Sequence, residues 1–289
     1  MNFVHCRFCK STNLGNYGNR YTKQGKKKRY KCKECNRTFT YDDGFLNMKT
    51  PRHIVVEALQ LYLEGLSLSK VQYHIKAFHG FKIHRPSILY WMKKYSKLLK
   101  DFIKKQKPKI KGDVHVDEVF LKNREEWNYF WDAIDRDTKY VLATNWTQER
   151  DDKSAKQLMH DLKYCSDDTP PAIVTDGLWE YIRAVKFYFY HRCPHIRLVG
   201  LPDKLFNNPI ERLQNSIKER YKVMRCFNSF ESARAILDMW IVYYNFIRPH
   251  MSLGGKTPAE VAGLDLDLGQ NKLMNLIFFF NIYSELSLT

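Results

Sequence analysis

The chain is 289 residues long, 44% apolar and 15% aromatic, which is enough apolar material for two or three domains with real cores and excludes a disordered polymer. Its formal net charge of +17 is unevenly spread: residues 1–112 hold 26 Lys and Arg against 6 Asp and Glu, a net of +20, while the other 22 basic and 25 acidic residues come to −3. Lys and Arg that neutralise phosphates supply the sequence-independent affinity for nucleic acid, so this segregation reads as a nucleic-acid grip in the first third and not as a generally solubilising surface. Met1 to Cys9 lacks the basic start and apolar core of a secretion signal. The longest apolar stretch, near Leu276–Phe280, falls far short of the roughly 20 residues that cross a bilayer. The expected location is the cytoplasm, in association with the nucleoid.

Four of the seven cysteines form two pairs, Cys6-x-x-Cys9 and Cys32-x-x-Cys35, with 22 residues between the pairs. Each Cys-x-x-Cys turn points two thiolates the same way, and two turns complete the tetrahedron of a structural Zn²⁺ site; without secretory context, zinc is expected over a disulfide or redox pair. Asn13, Gly15, Gly18 and Gly25 supply turn material for a hairpin between the pairs. Lys26, Lys27, Lys28 and Arg29, interleaved with Tyr30, Phe39 and Tyr41, suit a DNA-contacting ribbon, the alternative being a ribbon that docks proteins. Cys165, Cys193 and Cys226 have no partner in sequence and are expected as buried apolar fillers.

From Pro51 the apolar spacing becomes helical, with Ile54, Val55, Ala58, Leu59, Tyr62 and Leu63 on one face and Gly65 as a stop. A second helix is expected over Ser69–Phe78, and a third opens at His84-Arg85-Pro86-Ser87 and runs to about Lys105. Three helices with a tight first turn fit a helix-turn-helix whose third helix offers Arg85, Ser87, Tyr90, Lys93 and Lys94 to a groove or to phosphates; a plain helical connector is the alternative. A basic linker follows, Lys104 to Lys111 around Pro108.

Beyond Gly112, three β-rich runs (Asp113 to Leu121, Trp127 to Ile134, Tyr140 to Trp146) precede a helix over Asp152 to Cys165. The strand Ala172-Ile173-Val174-Thr175 then ends at Asp176-Gly177, and a helix, a strand near Ile196 and a long helix from Asn208 follow. Three hairpin strands and then alternating helices and strands give an α/β fold, a ribonuclease H-like mixed-sheet catalytic core preceded by the zinc ribbon and the helix-turn-helix domain. The expected division is residues 1–45 for the ribbon, 46–106 for the helix-turn-helix domain, 107–265 for the core and 266–289 for an apolar tail that is either a dimer contact or a helix docked on its own domain.

Three acids stand out: Asp117 in HVDEVF, Asp176 in VTDG and Glu211 in NNPIER, the last two with 34 residues between them. Acids on a strand, at a strand end and on a helix can converge on a pair of divalent cations, an arrangement that cuts or joins phosphodiesters. Taken singly, Asp176 is also compatible with an ordinary strand-ending turn and Glu211 with a favourable charge at a helix start. Asp132, Asp135, Asp137, Asp151 and Asp152 are expected at strand ends and turns, and His191, Cys193 and His195 lack a fourth ligand for a metal site of their own.

HVDEVF, the run from Trp127 to Asp135, VTDG and NNPIERLQNSIKERYKVMRCFNSFESA together resemble the DDE superfamily of insertion-sequence transposases, with a retroviral-integrase-like core, over about residues 110–262. The resemblance implies that Asp117, Asp176 and Glu211 are the catalytic acids and that Lys218 lies near the reactive DNA end. Helix geometry agrees, since Glu211, Asn215 and Lys218 share a face. Alternation sends Asp117 and its neighbour Glu118 to opposite sheet faces, and of the two the resemblance selects Asp117. Three carboxylates suit two Mg²⁺ (or Mn²⁺) ions per site. YYNFIRPH and LGGKTPAE resemble the closing element of integrase-core transposases, with Arg248 and His250 as DNA contacts. The implied activity is binding of terminal inverted repeats, strand cleavage and strand transfer into target DNA by at least a dimer; the alternatives are a domesticated DNA-binding repressor and a structure-specific nuclease of the same fold.

Overall fold

The computed structural model describes residues 4–22, 25–199, 208–224 and 227–286. The chain divides into two compact units, Met1–Tyr62 with Leu66–Phe102 and Leu268–Thr289, and Leu63–Gly65 with Ile103–Asp267.

The first unit begins with strands β1 (Leu14–Thr22), β2 (Gly25–Cys32) and β3 (Thr38–Thr40) in one antiparallel sheet. Nine- and eight-residue strands this polar cannot bury a core of their own, and the sheet instead closes on Cys6, Cys32 and Phe39, with Val4, Leu14 and Tyr30 against them. Three helices follow: α1 (Arg52–Leu63), α2 (Leu68–His79) and α3 (Arg85–Ile103). Along α1 the expected stripe is the buried one, Ile54, Val55, Ala58, Leu59, Tyr62 and Leu63 all being buried. Helix α2 starts where the Ser67 hydroxyl accepts from the Lys70 N–H at 3.3 Å. It stops where Gly80, at φ 64°, donates its N–H to the Lys76 carbonyl. In α3 the buried residues Ile88, Trp91, Met92, Tyr95 and Leu99 recur at helical spacing, and the Tyr95 hydroxyl donates to the Gly44 carbonyl at 3.0 Å.

The second unit is built on β4 (Val114–Asn123), β5 (Glu126–Asp135), β6 (Val141–Thr147), α4 (Asp152–Cys165), β7 (Ile173–Thr175), α5 (Trp179–Phe189), β8 (His195–Arg197) and α6 (Asn208–Met224). Its five strands lie in the order β6-β5-β4-β7-β8, the first three antiparallel and β7 and β8 parallel to β4. Helices α4 and α5 pack together, α4 against β5 and β6, while α6 packs on β4 and β5. This is the ribonuclease H-like layout expected from the order of strands and helices.

Helix α7 (Phe230–Phe246) has few polar positions and is buried on nearly every side from Ile236 to Phe246 except Asp238. The asparagine of YYNFIRPH, Asn245, is buried and ties this helix to the sheet. It accepts from the Val141 N–H and donates to the Val141 carbonyl, both at 2.9 Å, and so satisfies a backbone position at the start of β6. After a 3-10 turn at Met251–Leu253, α8 (Pro258–Val261) opens with a reciprocal capping box between Thr257 and Glu260, with Pro258 at the first helical position.

The apolar tail forms α9 (Lys272–Leu286) and belongs to the first unit. Leu273, Leu276, Ile277 and Phe280 are buried; Phe278 meets Phe45 edge-on at 5.9 Å under the Arg52 guanidinium, and Phe280 meets Phe102 at 5.9 Å. The helix thus packs in the first unit and not on the core that precedes it in sequence.

Candidate active site and metal sites

Strands β4 and β7 run in parallel with Val114 beside Ile173 and His115 beside Val174. Two residues on, that register brings Asp117 level with Asp176, the first residue after β7. One carboxylate oxygen each from Asp117, Glu118 and Asp176 lies within 4.8 Å of the others. Asp176 is exposed, and its Oδ1 accepts from the Leu178 N–H at 3.0 Å, which ties the loop into α5.

The backbone alternates as expected at this point. Asp117 stands opposite Asp132 on β5 and shares its surroundings with Gln214 and Lys218 of α6; Glu118 stands opposite Trp131, whose ring meets Tyr181 of α5 at 5.6 Å. Yet the Glu118 carboxyl comes back to the other two acids, so opposite faces do not keep it out of the cluster. Both Glu118 oxygens are already engaged: Arg150 pairs with Oε1 and the Tyr181 hydroxyl donates to Oε2 at 2.5 Å.

Burial pushes the Asp117 carboxyl up to about 7, the Glu118 charge adds to this, and the Glu118 N–H, donating to Asp117 Oδ1 at 2.9 Å, works against it. Burial likewise raises Glu118, opposed first by Tyr181 and then by Arg150. Burial disfavours the charge on Asp117 and Glu118, and a hard divalent cation with oxygen ligands would offset it.

The sequence missed Asp132. It was expected at a strand end or turn; it lies instead in the middle of β5, fully buried, with neither carboxylate oxygen hydrogen-bonded among the described residues. Burial, then the Asp117 charge, push it well up, while Gln214 and Lys218 pull the other way. The β4–β5 hairpin, closed by the tight turn between Asn123 and Glu126, places the two acids face to face. Of the other four acids, Asp135 ends β5 and accepts from the N–H groups of Lys111, Gly112, Asp137 and Thr138 and Asp137 lies in the following turn, as expected, whereas Asp151 caps α4 and Asp152 opens it.

Glu211 is exposed in the first turn of α6, outside the group of three acids, and Lys218 is exposed two turns on. On that helix the residue turned in to the sheet is Gln214, which is buried, whereas Asn215 is exposed.

The second cluster comprises Cys6, Cys9, Cys32 and Cys35, whose sulfurs all lie within 4.8 Å, with Cys6 to Cys35 at 3.6 Å and Cys9 to Cys32 at 3.4 Å. Four sulfurs about 2.3 Å from a tetrahedral centre are about 3.8 Å apart, so the thiols fit a zinc ion. Each knuckle is followed by a left-handed residue, Lys10 at φ 62° and Asn36 at φ 56°, which turns the chain sharply after the second cysteine. The Cys35 N–H leads the influences that lower the Cys32 thiol to about 6, while the facing Cys9 thiol, although the Ser11 N–H lowers it, is pushed up to about 12 by its contact with Cys32 and by burial. Among the described residues these two groups alone have metal-binding geometry: His195 Nε2 is bonded to Thr175 Oγ1 at 2.9 Å and Cys193 Sγ contacts the Pro194 carbonyl. Cys165 and Cys193 are partly buried, and Cys226 lies outside the described residues.

The candidate DNA contacts divide into exposed and engaged groups. Lys26 and Lys28 are exposed and Arg29 is half-buried on β2, but Lys27 turns inward and pairs with Asp43, both side chains 10% exposed, which removes it from the basic face. On α3, Arg85, Tyr90 and Lys93 are exposed and Ser87 is half-buried in the first turn. Lys94 instead donates to the Gly44 carbonyl at 2.9 Å, and burial lowers its ammonium, so it supports the fold rather than the exposed face. Arg248, half-buried after α7, shares a cavity with Lys139, Arg212 and His250.

A mixed five-stranded sheet with acids gathered where β4 and β7 run side by side defines a ribonuclease H-like nucleotidyl-transfer core. Residues 111–250 match the family described as a DDE domain, and this stretch is a DDE transposase domain, the catalytic part of a metal-dependent enzyme that cuts and joins DNA. The chain is 23% identical over 218 residues to the transposase for insertion sequence element IS257 in transposon Tn4003 of Staphylococcus aureus, covering 72% of this chain and 92% of the relative. It is 29% identical over 199 residues to an uncharacterised protein of Methanocaldococcus jannaschii, covering 65% and 83%. Among solved structures, the HTLV-2 integrase catalytic core domain in complex with magnesium aligns with 54% of this chain and 99% of its own at 13% identity and a TM-score of 0.39. No helix among the described residues is long and apolar enough to cross a membrane.

Proposed function

We propose that this chain is the transposase of an insertion sequence, which binds the terminal inverted repeats of its element and cleaves and transfers their strands into target DNA as a homodimer or higher oligomer. The observation that carries the reading is the meeting of Asp117 and Asp176 at the mouth of the β4–β7 pair, inside a domain of the DDE class. In this reading Asp117, Asp176 and Glu211 hold two Mg²⁺ (or Mn²⁺) ions and the four cysteines hold Zn²⁺. A divalent cation bound there supplies Lewis-acid polarisation of the phosphoryl oxygen and lowers the pKa of the attacking hydroxyl.

The remaining work falls to the chain. Asp117 and Asp176, on neighbouring strands of the rigid sheet, would hold the cation that binds the reacting phosphate, and Arg150 and Tyr181 fix the Glu118 carboxyl beside them. Lys218 of α6 meets the phosphate of the DNA end. Lys26, Lys28 and Arg29 on the ribbon, and Arg85, Ser87, Tyr90 and Lys93 on α3, bind duplex DNA, with Arg248 adding a contact from the core.

The test is incubation of the purified protein with labelled inverted-repeat ends, target plasmid and Mg²⁺. Joined products are expected from the wild type and none from Asp117→Asn, Asp176→Asn or Glu211→Gln, all three still shifting the labelled ends in a gel. Cleaved but unjoined ends from the wild type would instead make it a nuclease, and a gel shift alone would make it a repressor. Joining by Glu211→Gln together with its loss in Glu118→Gln would transfer the third acid's role to Glu118.

A further inference from the structure

Between α6 and the turn after α7, within the catalytic unit, lies a cavity of about 290 Å³ whose lining includes Lys139, Arg212, Ser216, Arg248, His250 and Ser252. It brings three cationic side chains together, and no carboxylate lines it among the described residues. The nearest acids that act on Lys139 are Asp137 and Asp135, and both are committed elsewhere, Asp135 to four backbone N–H groups and Asp137 to Arg136. Among the described residues neither Arg212 nor Arg248 is in an ion pair. His250 Nε2 is buried with no hydrogen-bond partner.

The titrating groups report the same imbalance. Burial, then the Arg248 charge, hold His250 down to about 4, and burial and the Arg212 charge depress Lys139 although two acids oppose this. Positive charges kept together without a counter-ion cost free energy that a bound anion recovers. The cavity is at the low end of the ~300 Å³ typical of small-molecule clefts. Its aromatic wall, Tyr244, is already in ring contact with Trp240 at 5.3 Å and His250 at 4.6 Å, so no free face remains to stack a base.

We propose that this cavity is a phosphate-binding pocket that seats one backbone phosphate of a DNA strand on Arg212, Arg248 and Lys139. Arg212 follows Glu211 directly on α6, about 100° round the helix. The proposal rests on the domain's acting on DNA and adds a fixed phosphate register to it.

The experiment measures binding of labelled duplex by the full-length protein across a KCl series without divalent cation, for the wild type, the double variant Arg212→Gln/Arg248→Gln and the single variant Arg248→Lys. The double variant is expected to bind all sequences more weakly to the same degree, with the slope of log K against log salt shallower by about 0.9 for each phosphate no longer neutralised; Arg248→Lys retains most of the slope. An unchanged slope and affinity in a double variant with the wild-type melting temperature would overturn the proposal. So would calorimetric binding of inorganic phosphate that the double variant loses while its DNA slope is unchanged, which would make the cavity a site for a free phosphorylated ligand. If the double variant does not fold, Ser252→Glu, at an exposed position, sets a carboxylate in the cavity and must give the same loss of slope. Because the readout is binding without catalysis, its failure leaves cleavage and joining untouched, and failure of the acid variants to block joining leaves this result standing.

Discussion

Replacing Asp117 with Asn should make the catalytic unit more stable at alkaline pH while removing its chemistry. The folded carboxyl titrates at about 7 against an ordinary 3.8, so the folded state holds a proton that the unfolded chain gives up. For an acid shifted upward, stability is full below the unfolded value and declines as pH rises toward the folded one. At about 1.36 kcal/mol per unit, a difference of roughly three units costs the wild type up to about 4 kcal/mol above pH 8. The amide carries no charge to desolvate or to oppose Glu118 and Asp132, and its Oδ1 can still accept from the Glu118 N–H. The gap between variant and wild type should therefore be near zero at pH 4 and about 4 kcal/mol at pH 8.5, or roughly 10 °C in melting temperature for a domain of this size. Urea unfolding followed by tryptophan fluorescence from pH 4 to 9, in buffer free of divalent cations, measures it. Millimolar Mg²⁺ added at pH 8.5 should narrow the gap by stabilising only the wild type. A gap that does not change with pH, or an Asn variant less stable at pH 8.5, would refute the burial argument for Asp117.

Stripping the four-cysteine cluster with a zinc chelator should unfold the ribbon, whose sheet has Cys6, Cys32 and Phe39 as its buried centre, and abolish DNA binding; release of one zinc per chain in a colorimetric assay and loss of the gel shift check this. Phe280→Ala should destabilise the first unit by about 3–5 kcal/mol, since the ring is 5% exposed against Phe102, and unfolding by urea measures it; unchanged stability with altered sedimentation would return α9 to the role of an oligomer contact.

Local chemistry was legible wherever a pattern within a few residues decides the outcome. The stripe on α1, the Asp152–Cys165 helix, the three hairpin strands and the two thiolate turns depend on period, caps and spacing, and the structure has all of them. Pairing across the chain was not legible. Asp132 was read as one more turn acid although it falls inside the Trp127–Ile134 run, where the hairpin sets it opposite Asp117, and Glu118 was set aside by the resemblance and by an alternation that governs backbones but not the reach of a long side chain. Lys27 and Lys94 carry the same charge as their exposed neighbours, and only Asp43 and the Gly44 carbonyl distinguish them.

By itself, the order of residues determined that an α/β catalytic domain with paired acids follows a basic, cysteine-bearing front part, because charge segregation, periodicity and short motifs are properties of the chain read along its length. Tertiary structure decided which acids share a site, which cations face outward and where α9 packs. Those outcomes depend on burial and on partners tens to hundreds of residues away, whose meeting no local pattern encodes.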